Sequence, residues 1–266
     1  MNPSFPMTKP LVDAAVTTVM WSYFTLGFLL FFSPRYAWAL FRGKDREAAF
    51  QRLNHRYFRS FIGLLGQITP GLTLQFGRDI GDIRSSIVVS NHLSYLDPLL
   101  LISCFERQKT IVKKTFFRVP VFRSVLRLSG YIPSANGSEN GGDLLRHVEG
   151  VKGYLQAGGN VFIFPEGTRS RTGRLGPFNK GAFSIASYCR APIECLLIRE
   201  TNRLFVPGRF LFNTCVPTAI EVRRIGSFTP DYRDPNFRLG ALIAEIRALY
   251  EEHLSNARCD CRDAPS

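Results

Sequence analysis

The sequence predicts an α/β fold, a mostly parallel sheet covered by helices and preceded by a membrane-associated helical pair. Beyond residue 70, short runs rich in β-branched and aromatic residues alternate with stretches whose apolar residues recur every three to four positions. Such alternation favours a parallel sheet, because parallel strands are joined by crossover helices. A long uncharged segment near the N-terminus, residues 14–32, and an amphipathic stretch after it predict the helical pair.

The uncharged segment is nineteen residues long, and a helix of that length spans roughly the 30 Å hydrocarbon core of a bilayer. Several hydroxyl residues dilute it, so an interfacial or re-entrant helix is an alternative. A signal peptide is another, since residues 37–39 read AWA, but the segment exceeds the usual signal core and Arg35 precedes that site. We therefore expect an uncleaved anchor. Cationic residues cluster after the segment, which predicts a cytosolic location for the rest of the chain.

Residues 45–66 are predicted to form an amphipathic helix, with Phe50, Tyr57 and Phe61 among its apolar positions and Arg52 and Arg56 on an adjoining face. A basic and aromatic helix directly after an anchor is typical of a membrane-surface element. An ordinary surface helix packed on the domain is the alternative, and both descriptions can hold together.

Composition restricts the class of partner. An aromatic content of 13% excludes a disordered chain, and the six cysteines lack metal-ligand spacing. We expect reduced cysteines, no metal and no resident cofactor. The net charge of +13 indicates a phosphate-bearing partner, either nucleic acid or an anionic membrane surface. The anchor, the aliphatic residues between the cations and the absence of a nucleic-acid-binding motif argue against nucleic acid.

The elements divide the chain into a membrane anchor with an amphipathic helix (1–70), a catalytic domain (71–255) and a C-terminal tail (256–266). The clearest helical patterns lie at residues 143–156 and 237–254. The predicted strands are residues 72–76, 86–90, 110–112, 161–164, 193–198 and 218–222.

The first group of polar residues follows the second strand directly, where residues 90–98 read SNHLSYLDP. Asp97 is close enough to His92 to accept the Nδ1–H, which fixes the tautomer and leaves Nε2 as a base. No G-x-S-x-G nucleophile motif accompanies them. A thioester donor would explain that omission, since a thiol with a pKa near 8.5 leaves with little acid assistance. A pair that merely closes a turn is the alternative.

The second group follows the strand at 161–164, where residues 164–170 read FPEGTRS. Gly167 permits a sharp turn, and the Arg169 guanidinium suits bidentate binding of a phosphate. A solvated basic loop is the alternative for this segment taken alone.

Taken in order, the anchor, NHLSYLDP, FPEGTRS about seventy residues later and FNKGAF at 178–183 closely resemble the 1-acylglycerol-3-phosphate acyltransferase family of glycerolipid acyltransferases. The resemblance extends from about residue 10 to residue 225. It implies that His92 is the catalytic base and Asp97 its orienting partner. The residues expected to bind the substrate are Glu166, Gly167, Thr168, Arg169 and Lys114.

The resemblance also implies a reaction. A fatty acyl group would pass from acyl-CoA or acyl-carrier protein to the free hydroxyl of 1-acylglycerol-3-phosphate, giving phosphatidic acid at a membrane. Asn136 stands where the family carries an acceptor-binding arginine, so another lysolipid or glycerol phosphate is an alternative acceptor. Transacylase or hydrolase action by the same base, and a non-enzymatic membrane-surface protein, are the remaining alternatives.

Overall fold

A seven-stranded sheet, ordered β1-β7-β6-β2-β5-β3-β4, lies at the centre of the part of the chain that the structure describes. The structure is a computed structural model that describes residues 8–42, 45–134 and 141–260. The strands are β1 Leu72–Phe76, β2 Ile87–Ser90, β3 Gln108–Val112, β4 Ile132–Pro133, β5 Asn160–Ile163, β6 Ile193–Arg199 and β7 Thr218–Phe228. Only the β6–β7 pair is antiparallel among the described strands, so the predicted fold class is confirmed.

Helices cover both faces of this sheet, and further helices precede its first strand. They are α1 Lys9–Ser22, α2 Ser33–Arg42, α3 Arg46–Ile68, α4 Leu96–Cys104, α5 Pro120–Leu128, α6 Gly141–Gln156, α7 Lys180–Cys189, α8 Thr201–Leu204 and α9 Leu239–Asp260. The helices predicted at 45–66, 143–156 and 237–254 correspond to α3, α6 and α9. The last continues into the predicted tail, because no glycine or proline stands at residues 255–260 to end it.

The segment predicted to be the anchor, residues 14–32, is helical throughout, since the π-helical residues Tyr23–Phe32 connect α1 to α2. Within the described ranges, one helix is long and apolar enough to cross a membrane: Lys9–Phe41, 33 residues with a mean hydropathy of 1.6 in its most apolar window. The next helix, α3, is capped at its N-terminus by Asp45, whose side chain accepts the backbone N–H of Ala48 at 3.0 Å. It packs back on the anchor, where Tyr57 donates its hydroxyl to the Phe24 carbonyl at 2.6 Å.

The core consists of two main clusters, one on each face of the sheet. Along β2, Val88 faces the cluster formed with α3 and α4, whereas Ile87 and Val89 face the cluster formed with α6, α7 and α9. All three side chains are fully buried, as expected for a central parallel strand covered on both faces. β2 is therefore held rigidly, and the loop at its carboxyl end starts from a fixed position.

The N-terminal helices share the first of these clusters. Met20 of α1 and Leu65 of α3 are both buried in it. On α1, Asp13 accepts hydrogen bonds from the N–H and the hydroxyl of Thr214, at 2.8 and 2.6 Å. These contacts attach the anchor helix to residues 205–217, which follow α8. The predicted division of the chain at residue 70 stays a prediction.

Candidate active site

Three segments meet at one edge of the sheet, because β2, β5 and β6 are parallel neighbours whose carboxyl ends lie together. Residues 90–98 follow β2, residues 164–170 follow β5, and α8 follows β6. This edge is where open α/β sheets generally carry their ligand-binding residues. The sheet thus brings together the two predicted motifs and α8, for which the sequence predicted no role.

His92, in the first of these segments, forms a hydrogen-bonded pair with Asp97, in the first turn of α4. Nδ1 of His92 lies 2.9 Å from Oδ2 of Asp97, as predicted. The Asp97 side chain is fully buried, whereas 15% of the His92 side chain is exposed. The same Oδ2 accepts the backbone N–H groups of Leu93 and Ser94, the latter at 2.7 Å, and Oδ1 accepts the hydroxyl of Thr201 at 2.6 Å. The Asp97 side chain thus has four hydrogen-bond partners, which fix its orientation.

This geometry leaves Nε2 of His92 as the reactive nitrogen. With Asp97 accepting the Nδ1–H, the neutral ring carries its lone pair on Nε2. No hydrogen bond of the described residues involves Nε2. The ring also stacks on Phe164, with centroids 4.3 Å apart and an interplanar angle of 21°. The imidazole is therefore fixed in both tautomer and orientation, and its free nitrogen can act as a general base.

Glu166 connects the second loop to the first. Its Oε1 accepts the backbone N–H of His92 at 2.9 Å, and its Oε2 accepts the N–H of Gly176 at 2.7 Å. Burial raises the pKa of this carboxyl, although the two backbone N–H groups and His92 act in the opposite direction. The structure thus places Glu166 among backbone donors that shape the site.

The remaining predicted residues of the second loop lie beside the first. Gly167 has a φ of +66°, and a Cβ there would lie 2.9 Å from the Asn179 amide nitrogen. The guanidinium carbon of Arg169 lies 4.1 Å from the centre of the Tyr95 ring, a cation–π contact. Thr168 is exposed and Arg169 is partly buried. Both motifs therefore contribute to one surface.

Lys114 precedes helix α5 and lines a cavity. It begins the 3₁₀ helix Lys114–Arg118 and lines a cavity of about 500 Å³ together with Arg127 and Tyr131. Neither His92 nor Asp97 lines this cavity.

Sequence comparisons agree with this geometry. A sequence model of the family described as Acyltransferase matches residues 77–199, which include both motifs. The 1-acyl-sn-glycerol-3-phosphate acyltransferase BAT2 of Brassica napus is 32% identical over 171 residues, 60% of this chain and 48% of that protein. Over the region that carries both motifs, the chain is similar to 1-acyl-sn-glycerol-3-phosphate acyltransferases. A member from Saccharomyces cerevisiae is 34% identical over 132 residues, 48% of this chain and 43% of that protein.

The chain spans about half the length of these curated relatives. Among solved structures, the 1-acyl-sn-glycerophosphate acyltransferase PlsC of Thermotoga maritima has the same fold. It aligns with a TM-score of 0.67 at 21% identity and covers 92% of this chain and 98% of its own. Because 92% of this chain aligns, the shared fold extends beyond the sheet into the N-terminal helices.

Sequence reasoning missed two residues of the site. Asn91 is buried and pairs with both backbone groups of Ile198 at 2.8 Å, which fastens the first loop to β6. Thr201, which donates to Asp97, lies 104 positions away along the chain. Its position just beyond the carboxyl end of a predicted strand was the available signal. Asn136, the predicted departure from the family, lies outside the described residues.

Proposed function

We propose that the protein transfers a fatty acyl group from an acyl thioester to the free hydroxyl of 1-acylglycerol-3-phosphate, giving phosphatidic acid. The observation that carries the proposal is the His92–Asp97 pair, with its 2.9 Å hydrogen bond and its unengaged Nε2. The similarity to 1-acyl-sn-glycerol-3-phosphate acyltransferases supports the choice of reaction. The proposal includes no metal and no resident cofactor, and the co-substrate is acyl-CoA or acyl-carrier protein.

In the proposed reaction, Nε2 of His92 removes the proton of the acceptor hydroxyl while the oxygen attacks the thioester carbonyl carbon. The carbon–sulfur bond then breaks, the new ester is released, and the thiolate takes the proton back from His92. Asp97, hydrogen-bonded to Nδ1, stabilises the imidazolium that forms between these steps. Atoms and charge balance without a further reactant.

The motif serines support direct transfer over a covalent acyl-enzyme. Oγ of Ser94 accepts the N–H of Leu96 at 3.3 Å, and Oγ of Ser170 donates to the Arg174 carbonyl at 2.7 Å. Both hydroxyls therefore have roles within their loops. Without an activated serine, the base acts on the acceptor itself.

Arg169 and Thr168 are proposed to bind the phosphate of the acceptor, with Gly167 providing the turn and Glu166 holding the loop. The guanidinium has the fork geometry that suits phosphate oxygens. Its contact with Tyr95 places it next to the first motif. Lys114 is proposed to contact the substrate from the cavity that it lines.

Attachment to a membrane, with the catalytic domain on the cytosolic side, is part of the proposal. The apolar helix Lys9–Phe41 would form the anchor. A cavity of about 640 Å³ between α2 and α3, lined by Arg35, Arg52 and Arg56, offers positive charge to anionic headgroups. Protease treatment of sealed vesicles would test the orientation, because cleavage of the body is expected from the cytosolic face alone.

The experiment that tests the function measures transfer from labelled acyl-CoA or acyl-carrier protein to lysophosphatidate by the full chain in membranes. We expect product with the wild type and a loss of about 10²-fold or more for His92→Ala. His253→Ala, on α9, is the matched control and should retain activity. Equal activity of wild type and His92→Ala would contradict the assignment of the base.

Asn136 favours a second candidate within the same chemistry, an acceptor other than lysophosphatidate. A panel of lysolipids and glycerol phosphate, assayed in parallel, separates the two. Product formed without added thioester would indicate transacylation from another phospholipid. Binding to anionic vesicles without acyl transfer from any donor would favour the non-enzymatic alternative.

A further inference from the structure

Thr201 occupies a buried position at the start of α8, directly against the carboxylate of Asp97. Its side chain is fully buried, and its Oγ1 donates to Oδ1 of Asp97 at 2.6 Å. The other oxygen, Oδ2, faces Nδ1 of His92 and the N–H groups of the first loop. Among the described residues, Thr201 is the only donor to Oδ1.

The backbone around Thr201 is arranged to hold it in place. Glu200, the residue before it, has a φ of +61°, a left-handed conformation that residues with a Cβ adopt rarely. Its carbonyl accepts the N–H of Arg203 at 2.9 Å, and its carboxylate accepts the N–H of Ala219 at 2.8 Å and a guanidinium N–H of Arg203. These contacts turn the chain from β6 into α8 and direct the Thr201 hydroxyl to the active-site carboxylate.

We propose that Thr201 is a positioning residue for the His92–Asp97 pair, an inference that rests on the proposed function. A carboxylate can rotate about its Cβ–Cγ bond, and its two oxygens are equivalent until each has its own donor. Thr201 fixes this rotation by holding Oδ1, so that Oδ2 stays directed at Nδ1 of His92. The hydroxyl also stabilises the charge of Asp97 in an interior that water does not reach.

Two substitutions at Thr201 distinguish the effect of losing its hydroxyl from the effect of changing its packing. Thr201→Val keeps the volume and loses the donor, whereas Thr201→Ser keeps the donor and loses a methyl group. Thr218→Val is the matched control, because Thr218 is also buried and donates its hydroxyl, to the Val216 carbonyl at 2.8 Å.

We expect Thr201→Val to lower kcat by about 10- to 100-fold, as for loss of a hydrogen bond to a charged group, with KM for both substrates changed less than about twofold. Thr201→Ser and Thr218→Val should keep most of kcat. A purely structural role gives the opposite order, with Val tolerated and Ser impaired. That order, or unchanged kcat in Thr201→Val, would overturn the proposal.

Proton NMR of the full chain in detergent tests the positioning without relying on acyl transfer. The Nδ1 proton shared by His92 and Asp97 should give a low-field resonance that is absent in His92→Ala. We expect this resonance to shift or broaden in Thr201→Val and to stay in Thr201→Ser and Thr218→Val. An unchanged resonance in Thr201→Val would overturn the inference, whereas a changed resonance in an enzyme without acyl transfer would overturn only the proposed function.

Discussion

The side chain of Glu166 accepts the backbone N–H of His92 at 2.9 Å, so the loop after β5 holds the loop after β2 by its main chain. His92 is thereby fixed at two points by two different carboxylates, its backbone by Glu166 and its ring by Asp97. The two motifs, far apart in sequence, form one structural unit.

Replacement of Glu166 by glutamine should weaken this connection, because an amide offers one acceptor oxygen for two N–H donors. We expect the free energy of unfolding to fall by about 1–3 kcal/mol at acid pH. The raised pKa of Glu166 means that its contribution is fully present below the ordinary value of 4.5 and is lost as pH rises through the folded-state value. The difference between wild type and Glu166→Gln should therefore shrink with rising pH.

Unfolding in urea, followed at several pH values from acid to neutral, measures this difference. Glu252→Gln is the control, since Glu252 is exposed on α9. A difference that stays constant or grows with pH would contradict the prediction.

Substitution of Gly167 by alanine should destabilise the second loop. The residue has a φ of +66°, and the added methyl group would press on the Asn179 side chain at 2.9 Å. We expect a loss of about 1–2 kcal/mol in unfolding free energy, together with lower activity. Gly153→Ala, at a position of α6 with space for a methyl group, should instead raise the free energy of unfolding by about 0.5–1 kcal/mol. Equal effects at the two sites would show that the backbone conformation at Gly167 carries no cost.

Asn91→Asp should disrupt the attachment of the first loop to β6. The Asn91 amide donates to the Ile198 carbonyl and accepts the Ile198 N–H, and a carboxylate would place an oxygen against that carbonyl. We expect a loss of about 2–3 kcal/mol in chemical denaturation. Asn236→Asp, at an exposed loop position, should stay within about 0.5 kcal/mol of wild type. A similarly small change for Asn91→Asp would argue against the paired geometry.

Asp13→Ala should release the segment that follows α8 from helix α1. The backbone N–H of Thr214 loses its acceptor, whereas the N–H of Phe212 keeps its bond to Thr17 at 2.9 Å. We expect the rate of amide hydrogen exchange to rise at Thr214 and to rise less at Phe212, while exchange in β2 stays slow. Asp231→Ala, in an exposed turn, is the control that should leave both amides protected. Unchanged exchange at Thr214 would contradict the role of Asp13.

The sequence allowed much of the fold and the central pair of the site to be predicted, because both depend on local pattern. The strand at 72–76 was predicted with its observed bounds, and only four residues separate His92 from Asp97 in the sequence. β4 was missed because two residues, Ile132–Pro133, are too few to show a period. β7 was predicted to end at residue 222 but continues to Phe228. Within the added part of the strand, the Arg224 side chain forms an ion pair of 2.6 Å with Glu194 on β6.

The rest of the site depends on contacts between distant parts of the chain. Thr201 meets Asp97, and Asn91 meets Ile198, only after β2 and β6 have paired. α7 was missed because its buried residues are mostly small, such as Ala182 and Ala186, and give a weak apolar pattern. These contacts form only when distant strands pair, so the local periodicity of the sequence does not predict them.

The attachment of α1 to the segment after α8 has a consequence for how a lipid would reach the base. That segment leads back, through Thr201, to the carboxylate that holds His92. An inserted α1 would therefore set the height of the imidazole above the lipid leaflet by a rigid connection, not by a flexible tether. A lysolipid could then arrive by lateral diffusion, with its tail still immersed and only its headgroup lifted to the edge of the sheet.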